Sequence, residues 1–214
     1  MNDRPEPVSD LRTDGRLWIK ICGLTTRSDV RAALDAGADA IGFVFAPSSR
    51  QVSPGQAARL AGETSGAVMR VAVMLHPSQA LLDEVWSRFR PDLLQTDLED
   101  LGGLQLPDDL GVLPVVRSNR APPAPLPRSL LYEGARSGTG ECTDWASAAR
   151  VSRATRLVLA GGLNPDNVAA AITAVRPFGV DVSSGVEMAP GIKDALKIHA
   201  FVRRARAAES GVGG

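Results

Sequence analysis

Lys20 and Cys22 stand two positions apart in Trp18-Ile19-Lys20-Ile21-Cys22-Gly23. In an extended strand that spacing puts both on one face and leaves Ile19 and Ile21 for the other. A lysine beside a thiol favours the thiolate, so Cys22 reads as a nucleophile or base. An inert buried cysteine competes with that reading. Glu133 ends the apolar run Leu131-Tyr132-Glu133 and is a candidate acid. Arg50, after Ala46-Pro47-Ser48-Ser49, offers a planar guanidinium that suits a substrate carboxylate. The commoner role for such an arginine is a solvated surface charge. Gly161-Gly162 and Ser184-Gly185 close two further apolar runs, where exposed backbone N–H groups could hold a phosphate. Gly138-Thr139-Gly140, in the loop after Glu133, could close over the same group. Tight turns with no ligand are the alternative for all of these glycines.

Other chemistries find less support. Cys22 and Cys142 are the only cysteines, too few for a disulfide framework and not spaced as zinc ligands. His76 precedes a proline and His199 lies in a helical pattern, so both read as structural, and no metal site is expected.

The elements that must carry these residues alternate. Apolar runs at 18–22, 39–45, 69–75, 92–97, 112–117, 129–133, 156–160 and 180–184 predict strands, nearly continuous in apolar residues as in sheets covered on both faces. Amphipathic stretches at 27–36, 54–64, 78–89, 145–151, 164–175 and 193–207 predict helices between them. Asn164 with Pro165 reads as a helix start, and Pro190-Gly191 as a stop before the last helix. Eight strands alternating with helices predict a single closed (β/α)8 TIM barrel over residues 16–214. Residues 1–15 form a disordered or extended leader. The segment 121–127, APPAPLP, predicts an extended connector in place of the fifth helix. In such a barrel the chemistry belongs at the C-terminal ends of the strands. If Lys20 faces the lumen it needs a partner, and Asp181 on the neighbouring eighth strand is the residue placed to supply it.

Composition narrows the partners. The 214 residues carry 24 Lys+Arg against 24 Asp+Glu, and that balance argues against a nucleic-acid groove or an anionic membrane surface. No apolar run approaches the ~18–20 residues that cross a bilayer. The polar start MNDRPEPVSD lacks the apolar core of a secretory signal. A cytoplasmic protein acting on a small molecule is the expectation.

Five segments together carry a resemblance: KICGLT at 20–25, GFVFAPSSRQVSP at 42–54, the GTG before Asp144-Trp145, LAGGLNPDNV at 159–168, and VDVSSGVEMAPGIKD at 180–194. In this order, over roughly residues 18–205, the chain resembles phosphoribosylanthranilate isomerase. The resemblance implies a monomeric or homodimeric barrel in tryptophan biosynthesis. It implies the Amadori rearrangement of N-(5-phosphoribosyl)anthranilate to 1-(2-carboxyphenylamino)-1-deoxyribulose 5-phosphate, without metal or organic cofactor. By position it makes Cys22 the base and Glu133 the acid, and sets Arg50 against the anthranilate carboxylate. Gly161, Gly162, Ser184 and Gly185, with Gly138, Thr139 and Gly140 nearby, fall on the phosphate loops, and Asp181 takes a supporting role.

Three places depart from the family pattern. Glu133 stands for an aspartate, Thr96-Asp97-Leu98 for Leu-His-Gly, and Arg117 for a more usual lysine. Two other functions follow from these departures and from the fold: an impaired barrel that only binds a phosphorylated ligand, and the similar histidine-pathway isomerase. The latter uses an aspartate where this chain has Cys22.

Overall fold

The computed structural model of the chain describes residue 11 and residues 15–62, 64, 66, 68–134 and 143–212. Eight parallel strands close into a barrel in sequence order. They are β1 (Trp18–Cys22), β2 (Ala40–Val44), β3 (Met69–Val73), β4 (Leu93–Asp97), β5 (Gly111–Arg117), β6 (Ser129–Glu133), β7 (Arg156–Leu159) and β8 (Gly179–Val182). A hairpin of β9 (Glu187–Ala189) and β10 (Ile192–Lys193) follows β8. Around the barrel lie α1 (Arg27–Asp35), α2 (Pro54–Ala61), α3 (Gln79–Phe89), α4 (Trp145–Ser152), α5 (Val168–Val175) and α6 (Ala195–Val212).

The period-2 pattern sorts the strand residues into two cores. Ile19, Ile21, Ile41, Phe43, Leu94, Leu130, Leu157 and Val180 pack outward against the helices. Trp18, Ala40, Val71, Leu93, Leu113, Leu131 and Val158 form a second cluster inside the barrel. Each fully buried aliphatic side chain contributes roughly 1.5–3 kcal/mol, so the two layers together fix the strand faces. Gly179 lets β8 lie close against Trp18, because a Cβ there would lie 2.6 Å from the Trp18 carbonyl oxygen and 3.2 Å from its indole.

Helix starts follow local chemistry. Thr26 and Asp29 form a reciprocal capping box on α1, and Ser53 with Gln56 does the same on α2 ahead of Pro54. The connector between β5 and β6 contains no helix, as APPAPLP predicts, and between β4 and β5 only a 3-10 turn (Leu98–Gly103) forms.

Three expectations are corrected. Asn164 does not cap α5. Its side chain accepts from the N–H groups of Asp166 and Asn167, making a separate turn, and the helix begins at Val168. Pro190-Gly191 is the turn of the β9–β10 hairpin rather than a simple stop; Gly191 takes φ +81° there, and a side chain would run into the Ser49 carbonyl oxygen. Leu11, assigned to the loose leader, is buried in the inner cluster, and Arg156 donates to its carbonyl oxygen at 3.0 Å. An apolar side chain at the open bottom of a barrel finds a dry site there, which is reason enough for this residue to order.

Candidate active site

Lys20 is fully buried, and its Nζ lies 2.8 Å from Asp181 Oδ1, across the β1–β8 register that pairs these two residues. The expected partnership is therefore present. It fits because β2 carries Gly42 opposite Cys22. A Cβ at Gly42 would approach Cys22 Sγ and Lys20 Cε to 3.0 Å each. Burial pushes the Cys22 thiol above its ordinary range; Lys20 and Lys193 pull it down but do not overcome the burial, and Asp181 adds to the rise. The thiolate expected from Lys20 alone is thus corrected: the resting group is a thiol. Burial would lower Lys20, yet the Asp181 carboxylate, foremost of the groups that raise it, holds it charged. One positive charge shared with a carboxylate is a weaker pull on sulfur than an unpaired one.

Arg50 lies over the end of β1. A Cβ at Gly23, which has φ +73°, would sit 2.6 Å from Arg50 Cδ. Its guanidinium grips Glu187 with both arms, Nε to Oε1 at 2.7 Å and Nη2 to Oε2 at 2.9 Å. Lys193, almost wholly buried, donates to the same Oε1 at 2.9 Å and to the Ser183 carbonyl oxygen at 2.9 Å. Burial would raise Glu187, but hydrogen bonds from these two cations hold it below the usual carboxylate range. Composition and spacing did not single out Glu187 and Lys193; both lie within the strand-8 motif, and two oppositely charged residues bracketing a Pro-Gly turn were the available signal.

Glu133 ends β6, paired in register with Arg117 at the end of β5. Arg117 Nη1 stands 3.6 Å from Glu133 Oε2, and Nη2 stands 2.6 Å from Asp97 Oδ1 at the end of β4. The three departures noted in the sequence therefore meet in one ion cluster, a cation between two carboxylates. Nearby on β4, Gln95 is buried, and its Oε1 has no hydrogen-bond partner among the described residues. Asp100 accepts from Thr96 Oγ1 and pairs with the exposed His76. His76, Asp97 and Asp100 bring ligand atoms within 4.8 Å of one another, but Arg117 and Thr96 already engage the carboxylates. His199 is exposed on α6.

The loops after β7 and β8 press together. Gly161 and Gly162 take φ +89° and +67°, and a side chain on Gly185 would strike the Leu163 carbonyl oxygen. Ser184 and Gly185 open a one-turn 3-10 helix, Ser184–Val186. Both segments thus need glycine for backbone reasons. Gly138, Thr139 and Gly140 lie outside the described residues. Cys22, Glu133, Arg50, Asp181 and these two loops all stand at or just past the C-terminal ends of barrel strands.

Known proteins share this fold. Residues 19–204 match the family model for N-(5'phosphoribosyl)anthranilate (PRA) isomerase. A relative from Pelobacter propionicus, named N-(5'-phosphoribosyl)anthranilate isomerase, is 38% identical over 205 residues, covering 90% of this chain and 97% of its own. A solved structure of the dimeric phosphoribosylanthranilate isomerase of Thermotoga maritima, in a monomeric form, superposes with a TM-score of 0.76 at 32% identity, over 90% of this chain and 100% of that one. Another isomerase structure, holding reduced 1-(o-carboxyphenylamino)-1-deoxyribulose 5-phosphate, superposes with a TM-score of 0.72 at 32% identity, with the same coverage. By sequence and by fold, the chain belongs to the PRA isomerase family.

Proposed function

We propose that this chain isomerises N-(5'-phosphoribosyl)anthranilate to the 1-(2-carboxyphenylamino)-1-deoxyribulose 5-phosphate of tryptophan biosynthesis, with Cys22 as base and Glu133 as acid. The observation that supports these roles most is that a buried thiol and a carboxyl end β1 and β6 of one closed barrel, Cys22 four residues along its strand from inward-facing Trp18 and Glu133 two from inward-facing Leu131. Glu133 protonates the ribose ring oxygen as the C1′–O bond breaks, and the anthranilate nitrogen's lone pair forms the C1′=N bond. Cys22, as thiolate, removes the C2′ proton. The electrons of that C–H bond form C1′=C2′, and those of C1′=N return to nitrogen. The enolamine then gains a proton at C1′ and loses one from the C2′ hydroxyl to give the ketone. Carboxyl groups ordinarily ionise well below thiols, and burial raises the Cys22 thiol. The productive form, thiolate with carboxylic acid, is therefore the minor arrangement of a single shared proton.

Arg50 receives the anthranilate carboxylate, and Asp181 supports Cys22 through Lys20. Gly161, Gly162, Ser184 and Gly185 hold the phosphate, in the position between the seventh and eighth loops that barrels commonly use. We assign Gly138, Thr139 and Gly140 to the same phosphate by motif alone. The cytoplasm suits a catalyst that needs a free thiol.

The test follows the loss of fluorescence of freshly made phosphoribosylanthranilate. Cys22→Ser and Glu133→Ala should each lower kcat by about 10²–10⁴-fold. Turnover that survives both substitutions would remove the acid–base pair, and binding without turnover in the unaltered chain would leave a ligand-binding barrel.

A further inference from the structure

Arg50 presents a problem for its own role. An arginine already gripped at both Nε and Nη2 by a carboxylate has little charge left for a second one, unless something else serves that carboxylate. Lys193 does. Its Nζ, on a side chain 1% exposed, shares Glu187 Oε1 with Arg50. Two cations thus divide one anion, and one positive charge remains at the end of the row. Arg50 Nη1 takes no part in the grip on Glu187, and its two N–H donors can serve another acceptor.

The row is anchored on every side. Lys193 Nζ reaches the Ser183 carbonyl oxygen, Lys197 Nζ donates to the Glu187 carbonyl oxygen at 2.7 Å, and Thr25 Oγ1 donates to the Gly191 carbonyl oxygen at 3.2 Å. The β9–β10 hairpin also packs on Ser49, next to Arg50. Glu187 is therefore a fixed point carried by the loop after β8, and the arginine it steers comes from the loop after β2.

We propose that Glu187 and Lys193 are positioning residues for carboxylate recognition. Glu187 fixes the plane of the Arg50 guanidinium, while Lys193 keeps Glu187 from cancelling its charge, so that Nη1 meets the anthranilate carboxylate in one orientation. This rests on the assignment of Arg50 to that carboxylate. Neither residue touches the substrate; each acts through Arg50.

Two compounds separate the possibilities: reduced 1-(o-carboxyphenylamino)-1-deoxyribulose 5-phosphate, and its counterpart without the ring carboxyl. Binding is measured by calorimetry on the full chain. Glu187→Gln should weaken the carboxylated compound about tenfold, the scale of one well-aimed charge-assisted hydrogen bond, and leave the other within about twofold. Lys193→Met should act in the same direction and less. Unchanged binding of the carboxyl-free compound reports an intact fold and phosphate site. Should Glu187→Gln not fold, Glu187→Asp retracts the same charge from Arg50 and should show the same selectivity. In the Arg50→Met background, Glu187→Gln should add nothing further. Arg50→Met weakening both compounds equally would overturn the reading of Arg50 itself. Selective loss in Arg50→Met without selective loss in Glu187→Gln or Glu187→Asp would overturn the positioning role alone.

Discussion

The two sides of the barrel mouth carry opposite charge and differ in how firmly it is held. On the β1–β2–β8 side, Lys20, Arg50 and Lys193 face Asp181 and Glu187, an excess of one cation, and the Lys20 and Lys193 side chains are at most 1% exposed. On the β4–β5–β6 side, Arg117 faces Asp97 and Glu133, an excess of one anion among these described residues, with side chains 12–14% exposed. The positive side suits recognition of anions and control of a thiol. The negative side suits delivery of a proton. Every residue of the positive side lies in a segment that matches the family pattern, whereas all three of the negative side depart from it. The lesson concerns coupling: a residue gripped by neighbours on three elements is hard to replace alone, while a cation between two carboxylates can be exchanged as a unit.

The largest effect should come from breaking the buried pair. Lys20→Met leaves Asp181 without its partner and should cost about 3–5 kcal/mol of stability, read from urea denaturation. A loss under about 1 kcal/mol would mean that water reaches the pair and that the two sides do not differ as described. Next comes the crowding that seats the thiol. Gly42→Ala brings a methyl to 3.0 Å from Cys22 Sγ and Lys20 Cε, and should destabilise by about 1–3 kcal/mol in the same experiment.

The smaller test is on the negative side. Glu133→Asp restores the family's residue but retracts the carboxyl from an Arg117 placed for the longer side chain, and should lower kcat by about tenfold. Reverting the cluster together, as Asp97→His, Arg117→Lys and Glu133→Asp, should recover most of that loss. Full recovery from Glu133→Asp alone would show three independent substitutions instead of one cluster.

Much of this was legible in the sequence, for definite reasons. Alternation in Trp18-Ile19-Lys20-Ile21-Cys22 is enough to send Lys20 inward, and closure of the barrel then names Asp181. The prolines of APPAPLP remove the fifth helix by chemistry alone. The Cys22 thiol escaped the reading because its protonation balances burial against three charges from two strands and a hairpin, and burial is a tertiary quantity. The Glu187–Arg50 grip spans 137 positions, and nothing local encodes it. The α5 start was misplaced because Asn164 can cap a helix or close its own turn, and a second asparagine, Asn167, decided for the turn: its N–H donates to Asn164, and its side chain accepts from the Asn164 N–H.

The proposed pairing of Cys22 as base with Glu133 as acid is tested most directly by the pH dependence of kcat/KM in the unaltered chain and in Glu133→Gln. With both groups acting, the gain in thiolate as pH rises is matched by the loss of carboxylic acid, so the unaltered chain should show a plateau that falls on the alkaline side where the raised Cys22 thiol ionises. Removing the acid uncovers the base. The residual activity of Glu133→Gln should climb with pH and level off at that same alkaline point, while Cys22→Ser loses the climb. A Glu133→Gln profile with the same flat shape as the unaltered chain would contradict the account.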